Sequence, residues 1–335
     1  MRENLEKQLA YTPPSKEYLN LSTNENFFID HKKTMELNLT DILKITTLNQ
    51  YGQSSHTNLR EKYAKYLKAS PEQILPAPGS ESLIAVLLNA FVTDTLLTFT
   101  TDFFRYKEMA YILGKKHLKV PNASGITGLI EASKSTSVDL IMLSNPNNPL
   151  GVVQPEEKLI QLLEQTDCYI VIDEAYSEYY GESVMHLVAK YPKLIILKTM
   201  SKAWGLAGLR VGFMIANADL VKYVEAVQGP FVLSDLNAAI ATFVLEDCDL
   251  MRQTVEQTKK IRADFINFLQ DFDVEVFPSE ANFVFIKTTH AQEIANKLDK
   301  EKIAITARPD GLRITIGTSE QMSVIKESLA KKLPS

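Results

Sequence analysis

A chain of 335 residues, 45% hydrophobic and 23% charged, has the make-up of a globular protein that buries a sizeable core, and it is long enough for two domains. Its 36 basic and 41 acidic residues leave a net charge of −5, and the absence of any dense basic run argues against a nucleic-acid partner. Two cysteines, Cys168 and Cys248, build neither a disulfide framework nor a four-ligand zinc site, and five scattered histidines show no metal spacing. No signal segment opens the chain and the apolar stretch 83–92 is too short to span a bilayer, so a cytoplasmic protein without metal and without membrane contact is expected.

In chain order, residues 82–91 read as an apolar helix and 95–100 (TLLTFT) as a strand. A helix is expected over 104–113 and a short strand over 116–120. The run 138–144 (VDLIMLS) reads as a buried strand ending at Asn145-Pro146-Asn147-Asn148-Pro149, and Pro155 opens a helix that runs to 165. Strands are expected at 169–172, running into Asp173, at 193–197, running into Lys198-Thr199-Met200-Ser201-Lys202, and at 211–216. Apolar strands alternating with helices predict an α/β domain whose mostly parallel sheet is covered on both faces. Ligands of such sheets gather at the carboxyl ends of the strands. One long helix is expected over 235–270, joining this domain to a second, smaller α/β part. That part holds strands at 274–277, 282–287, 303–305 and 312–316, a helix at 291–300 and a last helix. The expected division is 41–235 for the large domain, and 1–40 with 236–335 for the small one.

Three strand ends carry polar residues: Asn148, Asp173 and Lys202. A lysine placed just past a buried strand loses solvation, which favours the neutral amine, a nucleophile toward aldehydes such as pyridoxal phosphate. Thr199, Ser201 and Arg210 are candidate phosphate ligands beside it. Asp173 at a strand end needs a partner, and a protonated pyridine nitrogen is one. Tyr176 and Asn148 are candidates for a phenolic ring oxygen. Gly79-Ser80-Glu81 ahead of a helix suits a phosphate. Phe103 is placed to stack on a flat ring. Arg313 within an apolar strand needs an anion, for which a substrate carboxylate is one candidate. Each signal alone also has a structural reading: a loop lysine, an N-cap aspartate or serine, an Asn-Pro turn, a core aromatic, a structural ion pair.

Taken together and in this order, the motifs are specific. The sequence resembles the fold-type I pyridoxal-phosphate enzymes, and within them the histidinol-phosphate aminotransferase branch. The matching segments are Leu21-Ser22-Thr23-Asn24-Glu25-Asn26, Tyr51 with Leu59-Arg60, Gly79-Ser80-Glu81, and stretches 145–151, 173–176, 199–212, 282–284 and 312–318. The resemblance implies that Lys202 holds the cofactor aldehyde covalently and later shuttles the proton. It implies that Asp173 pairs with the ring nitrogen, Asn148 and Tyr176 bind the ring oxygen, and Phe103 stacks on the ring. Ser80, the backbone N–H of Glu81, Thr199, Ser201 and Arg210 would cradle the phosphate. Tyr51 would reach that phosphate in a neighbouring subunit, which makes a homodimer the expected unit. Arg313 would grip the substrate carboxylate, Asn24 would line the substrate side, and Tyr11 and Phe231 are the aromatic candidates there.

The departures bear on the substrate. Leu150 follows Asn-Pro where the family usually has Thr, and Thr101-Asp102 stands where it has Pro-Thr. Thr306 aligns with the arginine by which family members hold the substrate's own phosphate, and Arg308 follows two residues later. The expected activity is transamination between small amino and keto acids, with L-histidinol phosphate and 2-oxoglutarate as the leading pair, in histidine biosynthesis. A threonine-phosphate decarboxylase, or an aminotransferase for another amino acid such as an aromatic one, would carry the same cofactor residues. A ligand-sensing regulator would need a DNA-binding domain ahead of motifs that here begin by Asn24.

Overall fold

A computed structural model of the chain describes residues 13–44, 46, 48–52 and 54–334. The first half holds β1 (Leu19–Asn20), α1 (Lys32–Lys44), α2 (Ser54–Leu67), β2 (Ile74–Ala77), α3 (Ser80–Phe91), β3 (Thr95–Phe99), α4 (Phe104–Ile112), β4 (Lys116–Val120), α5 (Gly125–Ser135), β5 (Leu140–Ser144) and α6 (Glu156–Gln165). Then come β6 (Tyr169–Asp173), α7 (Ser177–Tyr180), β7 (Leu194–Thr199), β8 (Gly212–Ile215), α8 (Ala218–Gln228), α9 (Asp235–Val244) and α10 (Asp249–Leu269). The chain closes with β9 (Glu275–Val276), β10 (Phe283–Lys287), α11 (Ala291–Asp299), β11 (Ile303–Ala304), β12 (Thr306–Arg308), β13 (Gly311–Thr315) and α12 (Ser319–Ala330).

Seven strands form the main sheet in the order β2-β8-β7-β6-β5-β3-β4. Strands β3 to β7 run parallel, and β8 runs against both β7 and β2. Successive side chains of a strand point to opposite faces, and both faces are covered. Ile170, Ile172 and Ile196 enter one core, while Val171, Ile195 and Leu197 enter the other. The continuous apolar runs of the sequence are therefore strands buried on two sides. Each such isoleucine or valine contributes roughly 1.5–3 kcal/mol by leaving water.

This topology builds the rim on which the chemistry sits. Ser144 at the end of β5 lies in register with Asp173 at the end of β6. Thr199 at the end of β7 lies opposite Gly212, where β8 starts back, and Gly212 lies opposite Ala77 at the end of β2. The loops after β2, β3, β5, β6 and β7 thus open on one edge.

The smaller unit has a four-stranded antiparallel sheet, β12-β13-β10-β9, and the parallel pair β1-β11, which ties the N-terminal segment to the C-terminal part. Its core joins Leu21, Phe265, Val284, Ile314 and Ile325. Among the described residues, no helix is long and apolar enough to cross a membrane.

Several elements differ from the sequence expectation. The single helix over 235–270 is two helices, because the Asp247 side chain accepts the Asp249 N–H (2.9 Å) and turns the chain between α9 and α10. Ala238, Ala241, Met251 and Val255, from both of these helices, pack into the core of the main sheet. Strand β2 was hidden by Pro76, which a strand at the sheet edge tolerates. Strand β12 (Thr306–Arg308) continues beyond the strand expected at 303–305.

Candidate active site

Lys202 sits in the loop after β7, and its Nζ donates to the Thr23 carbonyl oxygen at 2.9 Å. Burial lowers its pKa from 10.5 to about 8, and the charges of Arg313 and Arg210 push the same way against Glu25 and Asp173. Asp173 is buried at the end of β6. Its Oδ2 accepts from the Tyr106 hydroxyl (3.0 Å) and its Oδ1 from the Ala175 N–H (3.1 Å). Burial nevertheless pushes the carboxyl up to about 6. A cation placed against it would favour the carboxylate.

Across the rim, the Tyr176 hydroxyl accepts from the Asn24 amide (2.9 Å) and the Asn148 amide (3.3 Å). Asn148 Oδ1 in turn accepts from Arg313 at 2.6 Å, and Arg313 also donates to the Ser22 carbonyl and to Thr306 Oγ1 (3.1 Å). Asn24 is held on its other side, where its Oδ1 accepts from Thr315 (3.1 Å) and its carbonyl accepts from Asn282 (3.1 Å). The smaller unit thereby delivers Arg313 and Asn24 to the strand ends of the larger one.

A third group faces the start of α3. The helix opens at Ser80 behind Gly79, with no side-chain cap on its first N–H groups, so those donors and the helix dipole favour an anion. Gly79 has φ +81, and a Cβ there would lie 2.7 Å from an Arg210 guanidinium nitrogen. Only glycine lets that guanidinium lie against the turn. Thr199 Oγ1 accepts from the Ser201 N–H (3.1 Å), which fixes the loop between them. The Glu81 side chain pairs with Arg105 (2.7 Å) at the cavity wall.

These groups line one cavity of about 1030 Å³, which also takes in Phe103 and Arg308. Residues 16–329 match the model of the aminotransferase class I and II family. The chain belongs to that family. Along 99% of its length it is 31% identical to the histidinol-phosphate aminotransferase of Clostridium kluyveri, covering 98% of that protein. Two solved structures share the fold. The histidinol-phosphate aminotransferase of Sinorhizobium meliloti, in complex with pyridoxal-5'-phosphate, has TM-score 0.82 and 22% identity, with 93% of this chain and 90% of that one aligned. The L-threonine-O-3-phosphate decarboxylase of Porphyromonas gingivalis has TM-score 0.80 and 23% identity, with 93% and 98% aligned.

The cofactor of this aminotransferase is pyridoxal 5'-phosphate, and the residues present fit it. A buried carboxyl would meet the ring nitrogen's positive charge, burial brings the lysine amine closer to neutrality, the Asn148 amide and Tyr176 hydroxyl could meet a ring oxygen, and the glycine turn ahead of α3 with Arg210 beside it suits a phosphate. At the outer wall, Thr306 donates to the Ser22 carbonyl (2.9 Å) and takes a bond from Arg313, so its hydroxyl serves the structure around that arginine. Arg308 on the same strand lies over the Phe104 ring, 5.1 Å from its centroid. Burial lowers its pKa, while the charges of Glu108 and Asp310 oppose that shift.

Two predicted residues do not reach this cavity. Tyr51 and Phe231 stack on each other, with centroids 4.5 Å apart, on the exposed surface. Neither residue is among those that line the cavity. Tyr11 lies outside the described residues. Sequence reasoning missed Thr23, whose carbonyl holds Lys202, and Ser144 and Asp102, which form the second tier behind Asn148. Strand-end position was the available signal for Ser144.

Proposed function

We propose that this aminotransferase exchanges an amino group between L-histidinol phosphate and 2-oxoglutarate, the reaction of histidine biosynthesis. Full-length identity to a protein of that name supports it. The observation that carries it is the meeting of Lys202, Asp173, the Asn148–Tyr176 pair and Arg313 around one cavity, with a half-buried Arg308 on the opposite wall.

Bound pyridoxal phosphate supplies an aldehyde for amine exchange and a ring that withdraws electrons from the reacting carbon. The chain's residues do the rest. Lys202, whose amine is neutral in a useful fraction near pH 8, would hold the cofactor aldehyde and would carry the proton between carbon centres. Asp173 holds the ring nitrogen protonated. Tyr176 and Asn148 bind the ring oxygen, and Phe103 covers a ring face. Ser80, the Glu81 N–H, Thr199, Ser201 and Arg210 hold the phosphate. Arg313 pairs with the carboxylate of the keto acid and amino donor, with Asn24 beside it. Arg308, rather than Thr306, meets the phosphate of the substrate. The working unit in this proposal is a cytoplasmic homodimer in which Tyr51 reaches the phosphate of the second copy. The exposed Tyr51–Phe231 stack supports it, with exposed Leu48 and Val232 beside these residues in the chain. The free thiols Cys168 and Cys248 suit a reducing compartment.

The test is an absorption spectrum of the loaded chain titrated with L-histidinol phosphate in the absence of keto acid. Conversion of the cofactor to its amine form, reversed by 2-oxoglutarate, is expected. A cofactor band indifferent to that amine, with carbon dioxide released from L-threonine O-3-phosphate, would replace this reading with a decarboxylase.

A further inference from the structure

Behind the ring-facing residues lies a second carboxyl with no assigned role. Asp102, in the loop after β3, accepts the Phe103 N–H at 2.7 Å on Oδ1. It also accepts the Ser144 N–H (3.3 and 3.4 Å to its two oxygens) and the Ser144 hydroxyl. With its proton given to Asp102, Ser144 Oγ is free to accept, and the Asn148 N–H donates to it at 2.9 Å. The direction of the chain is thereby set: Asn148 N–H to Ser144 hydroxyl to Asp102 carboxylate. Asn148 is the residue whose side chain holds both the Tyr176 hydroxyl and Arg313.

We propose that Asp102 is a positioning residue for the cofactor and the substrate carboxylate. It anchors, through Ser144, the backbone of Asn148, and directly the backbone of the ring-covering Phe103. The proposal rests on the function proposed above. The residue type is informative. A neutral hydroxyl would suffice to cap a turn, whereas this carboxyl is pushed up to about 7 by burial, with the charge of Asp173 adding to the shift. The hydroxyl and N–H donors that converge on it hold it down. Its two oxygens take three converging donors, more than the two lone pairs of a single hydroxyl could accept. Through it, the loop after β3, which carries the ring wall, and the loop after β5, which carries the ring-oxygen and substrate contacts, move as one piece.

The test uses the full chain. D102A, S144A and the double variant are compared in cofactor dissociation, in the amino-donor concentration that half-saturates the spectral conversion, and in competition of inorganic phosphate with cofactor for the apo protein. Each single variant is expected to weaken cofactor binding about tenfold, the loss of one charge-assisted bond, and to raise the half-saturating donor concentration. The double variant is expected to be no weaker than the worse single one, because both cut the same chain. Inorganic phosphate should compete unchanged, since its cradle at Gly79, Ser80 and Arg210 is not part of that chain. D102N keeps the shape with fewer acceptor sites and should show a smaller loss in the same direction, which covers a failure of D102A to fold. Additive losses, unchanged cofactor affinity in D102A and D102N, or phosphate binding that falls in parallel would overturn the proposal. If the unaltered chain takes up no pyridoxal phosphate, the proposed function falls and this proposal with it. Tight binding by the unaltered chain and by both Asp102 variants alike removes this proposal alone.

Discussion

The lowered pKa of Lys202 has a measurable consequence. At pH 7 an ordinary lysine is neutral in about one molecule in three thousand, whereas a lysine at about 8 is neutral in about one in eleven. Capture of pyridoxal phosphate by the apo chain needs the neutral amine, so its rate at pH 7 should exceed that of a free lysine side chain by about 300-fold on this ground alone. The rate should rise with pH to a midpoint near 8 and then level off. Arg313→Gln removes the largest neighbouring positive charge acting on Lys202, while burial, the larger cause, stays. Its midpoint should therefore move above 8 yet remain below 10.5, slowing capture at pH 7 and leaving it nearly unchanged at pH 10. The assay is stopped-flow absorbance of the cofactor band under excess pyridoxal phosphate, from pH 6 to 10.5, with N-acetyl-lysine as reference. A wild-type midpoint at the reference value, or an Arg313→Gln profile that overlays the wild type, would refute the electrostatic reading of the site.

Other perturbations address other parts of the molecule. Gly79→Ala combines φ +81 with a Cβ placed 2.7 Å from the Arg210 guanidinium; it should cost about 1–2 kcal/mol in urea unfolding and weaken cofactor binding. Lys198→Met leaves Glu174 buried without the cation now 2.8 Å away, so calorimetry should show a loss of about 3–5 kcal/mol, largely recovered in Lys198→Met/Glu174→Leu. Arg308→Ala should raise KM for L-histidinol phosphate about ten- to hundredfold, the worth of a charge-assisted pair, while KM for glutamate in the reverse half-reaction stays within about twofold. An equal rise for both donors would place Arg308 outside the phosphate subsite.

Much of this site was legible before the structure because its chemistry sits at strand ends. A strand buried on both faces shows as an unbroken apolar run, and the polar loop that follows it must lie at the sheet's edge. Asn148, Asp173 and Lys202 all lie just past such runs. Once the sheet is parallel, their convergence follows from topology alone. Thr199, Ser201 and Arg210 are covered by the same argument, because they flank the turn between two adjacent strands.

What local pattern cannot contain was decided by tertiary packing. Pro76 reads as a strand breaker until β2 is seen at the edge, where a missing N–H costs little. The helical period runs through residues 245–248, but the Asp247 side chain competes for a backbone N–H and splits the helix. Tyr51 and Phe231 lie far apart in sequence and carry no sign of which face they occupy; folding stacks them on the outside. Thr306 and Arg308 share one short strand, and only its pairing with β13 shows that Thr306 serves Arg313 while Arg308 rests on Phe104. Asp102 looked like a departure from a motif until Ser144 and Asn148 were found lined up in front of it. Strand ends are dictated by hydrophobic burial, which sequence records one residue at a time. Hydrogen-bond partners brought together from distant loops exist only once the sheet has assembled.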